Sequence, residues 1–330
     1  MTKSGYILNR NNRIDQSIKP LNKKLNILFG IVSLIVVIAA IIFSYLIENV
    51  LPYSPIRPYK ITVNDIKERY PGVENPGSLG LSYEIVNVIT ADSIELKGWF
   101  IHSKTKPAKG TIILLHGIAN TKYAMLSLSK VLTSNGFNCV LYDSRANGES
   151  GGLNCTFGFY EKRDVSIVLD SVVKRFPDSS PFAVYGNSLG AAVAIQSLAV
   201  EKRLRCGVVE SPFATLRETV HEYFRRMFYL PIYSIPNAAL VRTEKIAGFL
   251  VDDVRPEESA KNISQSVLVV HGLKDEHINW KHGYRVYKNI ASHSKIWMPI
   301  DEGNHNNLAA IGGQQYLDSL VSFFNQHIQD

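Results

Sequence analysis

The stretch Val184-Tyr185-Gly186-Asn187-Ser188-Leu189-Gly190-Ala191-Ala192 runs from an apolar strand into a tight turn with a serine at its tip, then at once into an alanine-rich helix. Residues 181–185 are short and apolar behind Pro181, whereas residues 191–200 have the small side chains and spacing of a buried helix. A serine in such a turn takes a strained backbone conformation. Gly186 and Gly190 lack the β-carbons that would collide where strand and helix cross closely. Ser188 is therefore expected at a helix N-terminus, where free N–H groups and the helix dipole favour negative charge on a substrate oxygen. A G-x-S-x-G string also occurs in ordinary loops, so its weight depends on whether the chain supplies a base and an acid.

The C-terminal third supplies both. Ser266-Val267-Leu268-Val269-Val270-His271 is a buried-strand pattern that stops at Gly272-Leu273-Lys274-Asp275, which puts Asp275 in a loop at the carboxyl end of a strand. Lys295-Ile296-Trp297-Met298-Pro299-Ile300 is another strand, ending in Asp301-Glu302-Gly303-Asn304-His305, so His305 sits on a loop at the same edge. In an open parallel sheet the strand carboxyl ends lie on one side, and Ser188, Asp275 and His305 can converge there. Each role has a rival. Glu276 competes as the orienting acid, and Asp275 itself can be read as a loop cap. His293 and His282 compete as the base, but both precede the last strand and read as surface histidines on a helix or its end. His116 and His271 end strands ahead of glycines and shape turns. Arg145 and Glu210 read first as loop braces and second as groups that steer a charged substrate.

Residues 83–89 and 94–101 alternate like paired strands around Asp92-Ser93 and predict an antiparallel hairpin at a sheet edge. Strands near 111–115, 139–142, 182–185, 206–210, 267–271 and 295–299 then alternate with helices, which implies a parallel sheet covered on both faces. Residues 81–330 are long enough to bury one substantial core as a single domain. Between the sixth strand and Val267 lies an insertion, about 213–251, expected to be a small helical cap over the active-site edge. Leu216, Val220, Phe224 and Met227 recur there at helical spacing, with Arg217, Arg225 and Arg226 on other faces. Phe228, Tyr229 and Tyr233 either pack this cap on the domain or line an acyl-chain pocket.

From about Tyr83 to its end the chain resembles an α/β-hydrolase. Gly186-Asn187-Ser188-Leu189-Gly190 resembles the nucleophile elbow, His271-Gly272-Leu273-Lys274-Asp275 the acid loop, and Gly303-Asn304-His305-Asn306 the histidine loop, in the order Ser, Asp, His. Leu114-Leu115-His116-Gly117-Ile118 is similar to the family's His-Gly turn, and this resemblance implies the backbone N–H groups of Ile118 and Leu189 as the oxyanion hole. Tyr142-Asp143-Ser144-Arg145-Ala146-Asn147-Gly148-Glu149-Ser150 is similar to the Asp-x-Arg-Gly-x-Gly-x-Ser loop, with Ala146 in place of the first glycine. Glu210-Ser211-Pro212-Phe213 and Leu96-Lys97-Gly98-Trp99 resemble the serine-aminopeptidase-like and dipeptidyl-peptidase-like hydrolases. The resemblance implies an α/β fold, a mostly parallel sheet with helices on both faces, and a catalytic triad of Ser188, Asp275 and His305 working by acyl transfer.

Residues 27–47 are apolar without a charge and long enough to cross a bilayer as one helix. A cleaved signal would have an apolar core of about 7 to 15 residues and a small-x-small cleavage site, and neither is present. Lys3, Arg10, Arg13, Lys19, Lys23 and Lys24 precede the span, and Arg57 and Lys60 are the nearest cations after it, so the N-terminus is expected in the cytoplasm and the hydrolase domain outside it. Residues 1–26 read as a basic tail and residues 48–80 as a linker. The formal charge is +7, of which the tail carries +5, so the domain is nearly neutral and lacks the basic footprint of a nucleic-acid binder. The tail and anchor predict contact with membrane lipid.

Three cysteines with no zinc or redox spacing leave at least one free thiol, and no metal cluster, dinucleotide fingerprint or phosphate loop appears, so no cofactor is implied. The expected function is a membrane-anchored serine hydrolase acting on small acyl or lipid-like esters or thioesters. The alternatives are a serine peptidase acting on short peptides, for whose terminal amine Glu218, Glu222 and Glu244 are weak candidates, and a non-catalytic binding protein on the same fold.

Overall fold

The computed structural model describes residues 15–229 and 232–330, with side chains from residue 23 onward. Of the basic tail, Lys3, Arg10 and Arg13 lie outside the described residues. The chain divides into two units, residues 1–51 and residues 52–330.

The first unit is one helix, α1 (Asp15–Asn49), which extends the expected span at both ends until Pro52, unable to donate a backbone hydrogen bond, follows it. From Leu25 to Leu46 its large apolar side chains are exposed, and among the described residues it is the one helix long and apolar enough to cross a membrane.

The second unit opens without the expected linker. In α2 (Tyr53–Ile56) and α3 (Val63–Arg69) the side chains of Ile56 and Ile66 are buried, as is Ile61 between them. The Cys155 N–H donates to the Ile56 carbonyl at 2.7 Å, and Thr62 and Asp65 close a reciprocal capping box at the start of α3. The reading of residues 48–80 as a linker is thus corrected from Pro52 onward: Ile56 belongs to one layer of the core and Ile61 and Ile66 to the other.

The elements that follow are β1 (Tyr83–Ile89), β2 (Glu95–Ile101), β3 (Thr111–Leu115), α4 (Leu126–Ser134), β4 (Asn138–Tyr142), α5 (Glu161–Arg175), β5 (Phe182–Asn187), α6 (Leu189–Val200), β6 (Leu204–Glu210), α7 (Leu216–Phe228), α8 (Ser234–Ala247), α9 (Pro256–Ser259), β7 (Ser266–Gly272), α10 (Trp280–Asn289), β8 (Lys295–Ile300) and α11 (Leu308–His327). The strands make one sheet in the order β1-β2-β4-β3-β5-β6-β7-β8. As expected, β1 and β2 form an antiparallel edge hairpin, and the strands from β4 to β8 pair in parallel.

Both faces are covered, so the middle positions of the central strands are apolar. Ile113, Leu115, Val140 and Val184 point into one layer with the inner residues of α5 and α6. Ile112, Leu114, Leu141 and Ala183 point into the other with Leu126 of α4 and Phe324 of α11. The cap insertion holds two helices where the periodicity predicts one. Thr215 caps α7 by accepting the Glu218 N–H, and α8 lies beside it. All three cysteines are free and buried.

Candidate active site

Ser188 joins β5 to α6 with φ 53° and ψ −112°, a region that a side chain enters only when its surroundings force it. The forcing is mutual. A β-carbon on Gly186 would strike the Gly190 carbonyl, and one on Gly190 would strike the Leu115 carbonyl, so strand, turn and helix close on one another only through glycine. The Ser188 N–H donates to the Glu210 carbonyl at 2.8 Å, which ties the turn to the end of β6. The hydroxyl sits at the N-terminus of α6, the position inferred from sequence.

The loops after β7 and β8 bring the other two residues to it. His305 Nε2 lies 2.9 Å from Ser188 Oγ, and His305 Nδ1 lies 2.7 Å from Asp275 Oδ2. With the Nδ1 proton donated to the carboxylate, Nε2 is free to accept the serine proton. Asp275 is itself held in place, since its Oδ1 accepts the N–H groups of His277 and Ile278 at 2.8 Å each. Burial by itself would raise the Asp275 carboxyl. Hydrogen bonds from His271, His305 and the Ile278 backbone overcome it and hold the group well below the usual carboxylate range. His271, read from sequence as a turn former, also donates from Nε2 to the Ile278 carbonyl at 2.9 Å and so backs the acid. Glu276 makes no contact with His305 among the described residues. Its carbonyl instead receives Arg226 from α7.

The loop after β3 crosses directly over the elbow: a β-carbon on Gly117 would sit 3.6 Å from Ser188 Cβ. Neither the Ile118 nor the Leu189 N–H donates to another described backbone group. Two buried side chains hold this loop. His116 Nδ1 donates to the Gly117 carbonyl at 2.7 Å while its Nε2 accepts the Ser144 N–H, and burial keeps the ring neutral. Lys122, fully buried, bonds Asp143 at 2.7 Å and Glu149 at 2.5 Å and lies 4.8 Å from the centre of the Trp99 ring. Sequence reasoning missed Lys122, whose three partners are scattered over residues 99–149.

Arg145 is a brace: it forms a two-pronged pair with Asp164 at 2.7 and 2.8 Å and another contact with Asp92 at 2.8 Å, which leaves it no part in substrate steering. Glu210 lies below the elbow with Asn187 Nδ2 at 3.3 Å. Burial pushes its carboxyl up to about 7, against the pull of Tyr185, Asn187 and His305. His293 is on the surface, as expected. His282 is not: it begins α10 beneath the cap, where its Nδ1 accepts the Ala214 N–H and its Nε2 bonds Glu222 at 3.1 Å.

The cap touches the site through α7. Arg226 donates to the Glu276 and His277 carbonyls, and the His277 ring lies 5.2 Å from that of His305. Tyr233 lines a cavity of about 500 Å³ with Thr215, Arg217, His221, Arg225 and Asp252; Phe228 and Tyr229 do not line it, the Phe228 ring packing 4.6 Å from that of Phe224 on the same helix and Tyr229 being exposed. The expectation that Tyr229 packs the cap on the domain is corrected, since it follows α7 beyond its last buried turn. Glu218 is held by Arg285, Glu222 by His282, and Glu244 accepts the Val251 N–H. Glu218, Glu222 and His282 bring ligand-type atoms within 4.8 Å of one another, a grouping that the sequence spacing did not suggest, but each is already engaged in these bonds.

Residues 106–255 match the model of the family described as serine aminopeptidase, S33. An uncharacterized protein of Bacillus subtilis, YqkD, is 24% identical over 317 residues, 90% of this chain and 98% of that one. An uncharacterized membrane protein of Saccharomyces cerevisiae, YNL320W, is 26% identical over 76% of this chain and 82% of its own length. Among solved structures, the Pyrococcus furiosus esterase Pf2001 superposes with a TM-score of 0.65 at 23% identity, covering 78% of this chain and 97% of that one, a likeness of fold.

Proposed function

From the premise that this chain is an α/β-hydrolase, we propose that it is a membrane-anchored serine hydrolase that cleaves ester or thioester bonds through an acyl-enzyme. The observation that carries the reading is the array of Ser188 Oγ, His305 and Asp275 at 2.9 and 2.7 Å, with the serine on a strained turn at a helix N-terminus. In this mechanism His305 Nε2 takes the Ser188 proton as Oγ bonds to the acyl carbonyl carbon. The carbonyl oxygen becomes an oxyanion, received by the N–H groups of Ile118 and Leu189. The imidazolium returns its proton to the leaving alcohol or thiol as the scissile bond breaks. Water then attacks the acyl-serine, gives its proton to His305, and releases the acid as that proton passes back to Oγ. Asp275 orients the ring and offsets its positive charge in both halves.

The description of the matching family favours a second reading, hydrolysis of a short peptide from its amino end. That chemistry needs an unpaired carboxylate for the substrate ammonium. The three cap glutamates that sequence offers for it are each bonded elsewhere, which favours the ester reading. The anchor is α1, with the basic flank kept in the cytoplasm and the hydrolase unit outside it; the yeast relative's name as a membrane protein supports the anchoring. A fluorophosphonate probe tests the whole. The intact chain should label, Ser188→Ala and His305→Ala should not, and acyl esters should turn over faster than aminoacyl amides. A folded chain that does not label sinks the proposal, and a preference for amides replaces it with the second reading.

A further inference from the structure

Asp275 accepts from four donors, and one of them belongs neither to the triad nor to the backbone of its own loop. Its Oδ1 takes the His277 and Ile278 N–H groups, and its Oδ2 takes His305 Nδ1 at 2.7 Å. The fourth donor is His271, whose Nε2 lies 3.3 Å from the same Oδ2, with both side chains wholly buried. Hydrogen bonds to a carboxylate are strongest in such surroundings. Nε2 also faces the Ile278 carbonyl at 2.9 Å, which can only accept, so this nitrogen carries a proton. Two imidazoles thus donate to one carboxylate oxygen.

The other nitrogen of His271 is unused. Nδ1 is buried without a hydrogen-bond partner among the described residues and abuts Gly283 of α10, where a β-carbon would come within 2.3 Å of it. A buried polar atom left unpaired costs stability that an apolar side chain would not. What the imidazole supplies at this point is therefore its Nε2 proton. His271 is also the fixed member of the group: it lies in β7, opposite Pro299 of β8, whereas Asp275 and His305 lie on the loops beyond those strands. Against burial, which raises the Asp275 carboxyl, the bond from His271 is the largest of the contributions that hold it low.

We propose that His271 is a positioning residue of the hydrolase: its Nε2 proton, shared between the Ile278 carbonyl and Asp275 Oδ2, ties the acid to the sheet and through it holds the His305 ring in line with Ser188 Oγ. The proposal rests on the serine-hydrolase reading of Ser188, His305 and Asp275. Without His271, the one side-chain donor to Oδ2 is His305 itself, and the carboxylate is free to turn with the ring it should orient. A small rotation there carries Nε2 away from its 2.9 Å approach to Oγ, which slows proton transfer and leaves substrate binding alone.

The test follows turnover of p-nitrophenyl acetate by the full chain in detergent. His271→Leu should lower kcat about ten-fold or more with KM changed less than about two-fold. His271→Gln, whose amide N–H reaches the same two acceptors, should recover kcat to within about three-fold of the unsubstituted chain. In an Asp275→Asn background His271→Leu should cost less than about a further two-fold, because the residue acts through the acid. Gly283→Ala drives a methyl group against Nδ1 and should reproduce the loss with His271 in place, so the test stands even where the leucine variant does not fold. Unchanged kcat in His271→Leu, or the same loss again in the Asp275→Asn background, overturns the positioning role while the serine chemistry stands. A folded, unsubstituted chain that neither turns over the ester nor takes a fluorophosphonate label overturns the hydrolase reading and this role with it.

Discussion

The edge that carries the candidate active site and the cap hairpin are neighbours built on opposite principles. At the edge, Ser188, Asp275 and His305 stand on loops that follow strands, and backbone bonds tie this edge together: Ser188 to Glu210, Ser211 to Val270, Lys274 to Gly303. In the cap the ties run between side chains, Arg217 to Asp252, Arg285 to Glu218, and His282 to Glu222. Backbone bonds between packed strands permit one geometry, whereas long charged side chains on a surface give way at little cost. Rigidity is concentrated around the array of Ser188, His305 and Asp275, and compliance in the cap.

The contrast is open to attack first at its most rigid point. Ser188→Ala should lower kcat on an activated ester by a factor on the order of 10⁴ to 10⁶ with the far-UV spectrum unchanged. Residual turnover near one per cent would move the chemistry elsewhere. Asp275→Asn should cost on the order of 10³ to 10⁴ in kcat, and Glu276→Gln less than about three-fold. The reverse order would make Glu276 the acid.

Stability should show the same division. Lys122→Met strands Asp143 in the core and should cost about 3–5 kcal/mol in urea denaturation, because a buried charge loses its partner. Glu210 gives a pH signature. Its carboxyl is raised to about 7 in the folded state, so the native protein holds a proton there that the unfolded chain releases at its ordinary carboxylate value. This contribution is complete below the ordinary value and fades as pH rises through about 7, for a total on the order of 1–3 kcal/mol. Glu210→Gln should flatten the fall in Tm between those limits; an unchanged slope places the titration on another group. Arg217→Ala in the cap should cost under about 1 kcal/mol, since its partner Asp252 is mostly exposed. A loss as large as that at Lys122 would erase the distinction between the two regions.

The residues at the catalytic edge were legible because each one follows a strand, and a strand ending in glycine or a polar loop is a local pattern. The order of Ser188, Asp275 and His305 along the chain needed no knowledge of distant contacts. The supporting residues were illegible for the opposite reason. Lys122 looks like any surface lysine until Trp99, Asp143 and Glu149 fold around it, and His282 looks exposed until the cap covers α10. Ile56, Ile61 and Ile66 follow no helical or strand period, so their burial depends on which core surfaces stand open nearby. The second cap helix, α8, carries Pro236 in its first turn and a weak apolar stripe, and so resembled loop.

The strand order has a temporal consequence. His305 follows β8, an edge strand that pairs only with β7 and comes last in chain order among the described strands. Until that strand docks, Ser188 has no base, however well formed its turn. The array of Ser188, His305 and Asp275 is thus complete only after β8 has paired with β7, which makes it one of the last features of the second unit to form.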